Sequence, residues 1–165
     1  MGEAARQAIA ETVTVRSQRF GEYDVPAERI LRFPEGLVGL PEARQFVLME
    51  SGRPGSPFRY LLCIDLPELG FVVCDATHVC PGYLADVPRP AEVPAEDLAV
   101  LALVTVPADA SRMTANLMAP LLIDCRSGQG RQLVLDTGRH PIRFPLLAAT
   151  RDSCLGSEPD AGVKG

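Results

Sequence analysis

Residues 58–75 read FRYLLCIDLPELGFVVCD, and they decide the fold class. Phe58, Tyr60, Leu62 and Ile64 fall on alternate positions, which puts them on one face of an extended strand. Leu66-Pro67-Glu68-Leu69 interrupts the run, and residues 70–75 resume it as GFVVCD, rich in residues that suit a pleated surface. Two such runs across a short turn predict an antiparallel hairpin.

The same signature recurs on both sides. Thr12-Val13-Thr14-Val15 alternates with period two. RILRF at 29–33 and FVLME at 46–50 are short β-rich runs separated by the turn-rich PEGLVGLPEAR. SGRPGSP at 51–57 has glycines without a following Lys-Ser/Thr, and reads as a hairpin loop. Residues 80–97 carry too many prolines for a long regular element. LAVLALVTV at 98–106 is apolar almost throughout and closes on Thr-Val-Pro, which fits a buried strand. Asp109 before Ala110-Ser111-Arg112 reads as the N-cap of one helical turn. LMAPLLIDC at 117–125 and RQLVLD at 131–136 read as two further strands, joined by a glycine-rich connection at 126–130.

About eight short strands without strand–helix alternation predict an all-β fold, mostly antiparallel, with one or two single-turn helices. A small β-barrel-like domain is preferred, because closure removes exposed strand edges. The expected organisation is an N-terminal tail at 1–10, the β-barrel-like partner-binding domain at 11–146, and a flexible C-terminal tail at 147–165. The last segment, rich in Gly, Ser and Asp, has little to bury.

With 165 residues the chain fits one domain able to bury a real core. A formal charge of −5 counts against nonspecific nucleic-acid binding, which needs a basic footprint, and suits a basic protein partner. Lys164 is the only lysine, so arginine carries nearly all the positive charge. No basic cluster suggests an anionic membrane surface. The start, MGEAARQAIAETVTV, lacks the regions of a signal peptide, and the apolar run at 98–104 is too short to span a bilayer. Five cysteines without a CxxC pair, several in apolar runs, favour a reducing cytoplasm over a disulfide framework. The expected location is therefore the cytoplasm.

Catalytic motifs are missing from the sequence: it holds no GxSxG, HExxH, Walker-type loop or GxGxxG. His78 and His140 are the only histidines, and His140 reads as a turn residue beside a proline and two arginines. Cys74, His78 and Cys80 place three zinc-type ligands within seven residues, which leaves a small metal- or redox-linked domain as the alternative reading. Their spacing is not that of a zinc knuckle, and Cys74 ends an apolar strand that turns its thiol inward. No metal and no cofactor are therefore expected. Glu96 and Asp97 precede an apolar strand, and Asp124 and Asp136 end two hairpin strands, each without an identifiable catalytic partner.

Four segments in order carry a resemblance: RFGEYDVPAERILRFPEGLVGL, SPFRYLLCIDLPELGFVVCD, LALVTVPADASRMTANLMAPLLID and GRQLVLDTGRHPIRFPL. From Val13 to Leu146 the chain resembles the bacterial flagellar assembly factors of the FliW family. The last two segments are the most specific. The chain departs from the family pattern in three places. Leu37-Val38-Gly39-Leu40-Pro41-Glu42 stands where Leu-Pro-Gly-Phe-Glu is usual, Leu61-Leu62-Cys63 where Leu-Gln-Ser is common, and Phe144 where His is common. The resemblance implies a non-catalytic β-barrel-like protein that binds flagellin. When free, such a protein binds CsrA, an RNA-binding translational repressor, and relieves its repression of flagellin synthesis. It implies no direct contact with nucleic acid or membrane.

The resemblance is sharpest at Met113-Thr114-Ala115-Asn116, so Met113, Thr114 and Asn116 are candidate partner-binding residues. The competing reading is an Asn that satisfies local backbone groups. Arg143, held between Pro141 and Pro145, is a further candidate, as is Asp136, the carboxylate it could pair with. Residues 117–123 are expected to form a core strand.

Overall fold

The computed structural model describes residues 11–18 and 20–146. The tails expected at 1–10 and 147–165 lie outside the described residues. Strands β1 (Thr12–Ser17) and β2 (Gly21–Pro26) form a separate antiparallel hairpin. The main sheet comprises β3 (Leu31–Arg32), β4 (Gln45–Glu50), β5 (Phe58–Cys63), β6 (Gly70–Asp75), β7 (Leu98–Thr105), β8 (Thr114–Ala115), β9 (Leu121–Asp124), β10 (Gly130–Gln132) and β11 (Phe144–Pro145). One short helix, α1 (Ala76–Val79), and four single 3-10 turns complete the described elements. The fold is all-β.

In the main sheet the order is β10-β9-β7-β6-β5-β4-β3, with β8 pairing β7 and β11 pairing β8. The expected β5–β6 hairpin is present in antiparallel register, Phe58 opposite Cys74 and Leu62 opposite Gly70. All the strand pairs are antiparallel. The two ends of the array do not close through a full strand pair. They meet instead at one isolated parallel bridge between Arg32 and Gln129, where the Arg32 N–H donates to the Gly128 carbonyl at 2.8 Å. The sheet is therefore barrel-like rather than a fully hydrogen-bonded barrel.

Strand periodicity explains the cores. Along β7, Ala99, Leu101 and Leu103 face an interior cluster with Phe33, Leu37, Phe46, Leu61, Cys63, Val73, Leu121 and Ile123. Leu98, Val100, Ala102 and Val104 on the same strand face a second cluster outside the array, with Cys74, Ala76, Tyr83, Leu117 and Leu135. The β1–β2 hairpin supplies a third cover: Val15 and Val25 pack with Val47 and Leu62, flanked by Met49, Tyr60 and Ile64. The alternation along 58–64 thus holds, but the sheet is buried on both faces there, with Leu61, Leu62 and Cys63 all inaccessible.

Three expected strands have different limits. RILRF starts on the last residue of a 3-10 turn at Ala27–Arg29 and has only two strand residues, and RQLVLD is regular only at Arg131 and Gln132, the end of β10. The strand expected over 117–123 is confined to Leu121–Asp124. The reason is local: the Asn116 side-chain oxygen Oδ1 accepts from the N–H groups of Met118 and Ala119, at 3.0 Å each, so those amides are withdrawn from any ladder. Pro120 then has no N–H to offer. Conversely, Thr114 and Ala115, outside the strands expected from the sequence, form β8 between β7 and β11. The β2 strand, unanticipated as a partner of β1, closes on it through Gly21 at φ 84°.

Gly130 marks where the array comes together. A Cβ at this position would lie 2.6 Å from the Phe33 ring, and Phe33 is wedged edge-on against Phe46 at 5.2 Å between centroids. Gly130→Ala is expected to cost about 1–3 kcal/mol, because the ring cannot retreat in a filled core. Urea denaturation would measure it; an unchanged midpoint would show that the Phe33 ring yields freely.

Candidate partner-binding groove

Of five large hydrophobic residues that stand exposed among the described residues, three converge: Val38 (60%), Val134 (49%) and Ile142 (56%). With Leu37, Leu40, Phe71, Leu103, Asn116, Met118, Ala119 and Gln132 they line a groove of about 350 Å³. No lining side chain carries a charge. Leu37, Leu40, Phe71 and Leu103 also belong to the interior cluster, so the groove is the place where the barrel-like core reaches solvent.

Two amides set its shape. The Gln132 side chain accepts from the Val38 N–H at 2.8 Å through Oε1 and donates to the Ala119 carbonyl at 3.0 Å through Nε2. One residue of β10 thereby ties the 37–40 turn to the 116–119 turn. Asn116 holds the second turn from inside, and its own N–H donates to the Leu103 carbonyl at 2.8 Å. These bonds give part-buried polar groups the partners that burial would otherwise cost them.

The segment carrying Ile142 is anchored separately. His140 Nε2 lies 2.9 Å from an Asp86 carboxylate oxygen, and its ring meets Tyr83 edge-on at 4.7 Å. Arg139 approaches the same carboxylate at 3.4 Å, and the buried Tyr83 hydroxyl donates to the Leu117 carbonyl. Burial pushes the Tyr83 phenol well above its ordinary range, with Asp86 adding to the effect. His140 is thus a tether between two loops. The Asp109 cap is formed as expected: its carboxylate accepts from the Ser111 hydroxyl at 2.7 Å and the Ser111 N–H at 3.1 Å. Those bonds, the hydroxyl foremost, hold the carboxyl below the usual carboxylate range.

The five candidate residues read from the sequence do not converge on one patch. Asn116 lines the groove. Met113 is half-buried against the outer core, and Thr114 pairs with Thr105 and Pro145 in β8. Asp136 and Arg143 are both exposed. The ion pair considered between them is not formed among the described residues. Gln132, Val38, Val134 and Ile142 were not singled out. A signal was present: Leu133 and Leu135 face the core, so Val134 had to be an apolar residue on the outward face.

The metal alternative finds no geometric support. Among the described residues no three His, Cys, Asp or Glu side chains stand close enough to hold an ion. The Cys74 thiol is buried as expected, and desolvation, helped by Asp75, pushes its pKa up to about 12, so it is no thiolate at neutral pH. Among the described residues Cys63, Cys74 and Cys125 are free thiols. No helix among the described residues is long and apolar enough to cross a membrane.

The fold and this surface define a barrel-like all-β protein whose core opens into an uncharged apolar groove. The chain belongs to the FliW family: the profile described as FliW protein matches residues 14–146. The flagellar assembly factor FliW of Caldicellulosiruptor saccharolyticus is 32% identical over 144 residues, covering 84% of this chain and 93% of that protein. The FliW of Natranaerobius thermophilus is 34% identical over 140 residues, covering 81% and 91%. A crystal structure of the flagellar assembly factor FliW superposes with a TM-score of 0.71 at 26% identity, covering 81% of this chain and 96% of that one.

The Asn116 geometry yields an expected outcome. Asn116→Ala strands two backbone N–H groups and should cost about 1–3 kcal/mol, seen as a lower melting temperature. Asn116→Asp keeps the acceptor oxygen and should recover most of the loss. Equal melting temperatures for wild type and Asn116→Ala would remove this side chain from the account of the turn.

Proposed function

We propose that the protein is a cytoplasmic, non-catalytic flagellar assembly factor that holds flagellin and, when free of it, binds CsrA and relieves repression of flagellin synthesis. The observation that carries the reading is the uncharged groove with Val38, Val134 and Ile142 exposed along it. A monomer gains nothing from exposing a contiguous apolar surface, and such surfaces mark places another chain covers. Flagellin fits as that chain, since a subunit awaiting polymerisation carries apolar assembly surface that must be kept from premature contact. The groove thus acts as a chaperone site.

Asn116 contributes to this site from its wall. Arg143 follows Ile142 directly and is exposed beside it in sequence, available to a carboxylate on the partner. Asp136 lies two residues beyond Val134, with Met113 and Thr114 supporting the segment that leads to Asn116. Two of the family departures, Val38 and Leu40, fall in the groove, so they alter how a partner packs. Leu62 and Cys63 are buried and can touch no partner. Antagonism between flagellin and CsrA requires that each weaken the other by the same factor, since binding free energies are linked.

Val38→Asp and Ile142→Asp test the reading. Both positions are exposed, so the fold should keep its melting temperature. A carboxylate forced into an apolar contact should weaken flagellin binding by about tenfold or more in titration calorimetry. Unchanged flagellin affinity in both variants would reject the groove as the flagellin site.

A further inference from the structure

A second cavity, of about 380 Å³, lies beside the groove. Its floor is apolar: Leu122 and Val93 are buried, with Leu98, Pro34 and Pro90 around them. Its charged lining is three carboxylates, Glu35, Glu92 and Asp124, against one cation, Arg131. Asp124 is spent within its own turn, accepting from the Arg126 N–H at 3.0 Å and the Ser127 hydroxyl at 2.9 Å. Glu35 and Glu92 are exposed and enter no ion pair among the described residues. The wall carrying Glu92 is braced by Arg89, whose guanidinium donates to the Val93 carbonyl at 2.7 Å.

An apolar floor under two uncommitted carboxylates is complementary to one kind of side chain. A long cationic residue lays its methylene stem on apolar surface while its charged head stays at the rim. From this we infer that the cleft receives an arginine- or lysine-bearing segment of a basic protein partner, its stem over Leu98 and Leu122 and its charge at Glu35 and Glu92. The inference rests on the two-partner reading above and assigns the basic, RNA-binding partner to this cleft.

The cleft and the apolar groove have no lining residue in common. They are nonetheless walled by the same two pieces of chain. Pro34 and Glu35 face the cleft while Leu37, Val38 and Leu40 face the groove. Along β10, Gly130 and Arg131 line the cleft and Gln132 lines the groove. Substitutions in one cavity should therefore separate the partners.

The test uses the full-length protein with purified CsrA and purified flagellin, each titrated at several salt concentrations. Glu35→Gln with Glu92→Gln should weaken CsrA binding about tenfold, flatten its salt dependence, and leave flagellin binding as in wild type. Arg131→Gln removes the competing cation and should tighten CsrA binding. A double variant that binds CsrA with wild-type affinity and salt dependence overturns the cleft assignment while leaving the two-partner reading intact, and so does weaker CsrA binding by Arg131→Gln. Wild-type protein that binds no CsrA overturns the two-partner reading, and the cleft assignment with it.

Discussion

The structure depends on β7 being buried on both faces. Alternate residues of one strand serve two different cores, so β7 can neither shift register nor leave the sheet without exposing apolar surface on both sides. A register slip of one residue would exchange the leucines of the interior with the smaller Val100 and Ala102 of the outer layer. Everything else is arranged around this strand. β6 and β9 flank it, the α1 segment covers its outer face, and the interior cluster reaches across to Phe33 and Phe46. At about 1.5–3 kcal/mol for each large side chain fully buried, the double burial outweighs any single polar contact in the molecule.

Polar side chains have a different task here: they decide where regular pairing stops. Asn116 removes two amides from the sheet, and Gln132 fastens the resulting turn to the 37–40 turn. Between them they hold open a stretch that more strand pairing would otherwise cover. The groove proposed as a binding surface is thus a place where the ladder is incomplete, and its apolar lining is continuous with the core. The neighbouring acidic cleft arises the same way, at the irregular bridge where β3 approaches the chain before β10.

Much of the fold was legible because period-two patterning is a local property. The hairpin at 58–75, the strand at 98–105, the Asp109 cap and the glycine-rich turn before β10 all followed from neighbouring residues. One of the misread stretches shows a physical reason. At 117–120 a side chain competes with the backbone for hydrogen bonds, and apolar composition cannot register that competition. The candidate site was legible only in part. Asn116 was marked, but its amide is turned to local backbone as well as to the groove wall. Val38 and Ile142 looked like ordinary apolar loop residues, and only their convergence distinguishes them.

From its residues alone this chain was determined to be an all-β, acidic protein without a recognisable catalytic motif, and its ordered motifs carried the FliW resemblance. Those properties reside in strand periodicity, proline and glycine placement and net charge, each of which is set by adjacent residues. Tertiary structure alone decided that β3 and the start of β10 meet, that Asp136 and Arg143 stay apart, and which apolar residues remain outside the core. Such outcomes depend on contacts between residues as distant as Val38 and Gln132. Whether an apolar side chain is buried is settled by what the rest of the chain brings to it, and that information is not contained in its neighbours.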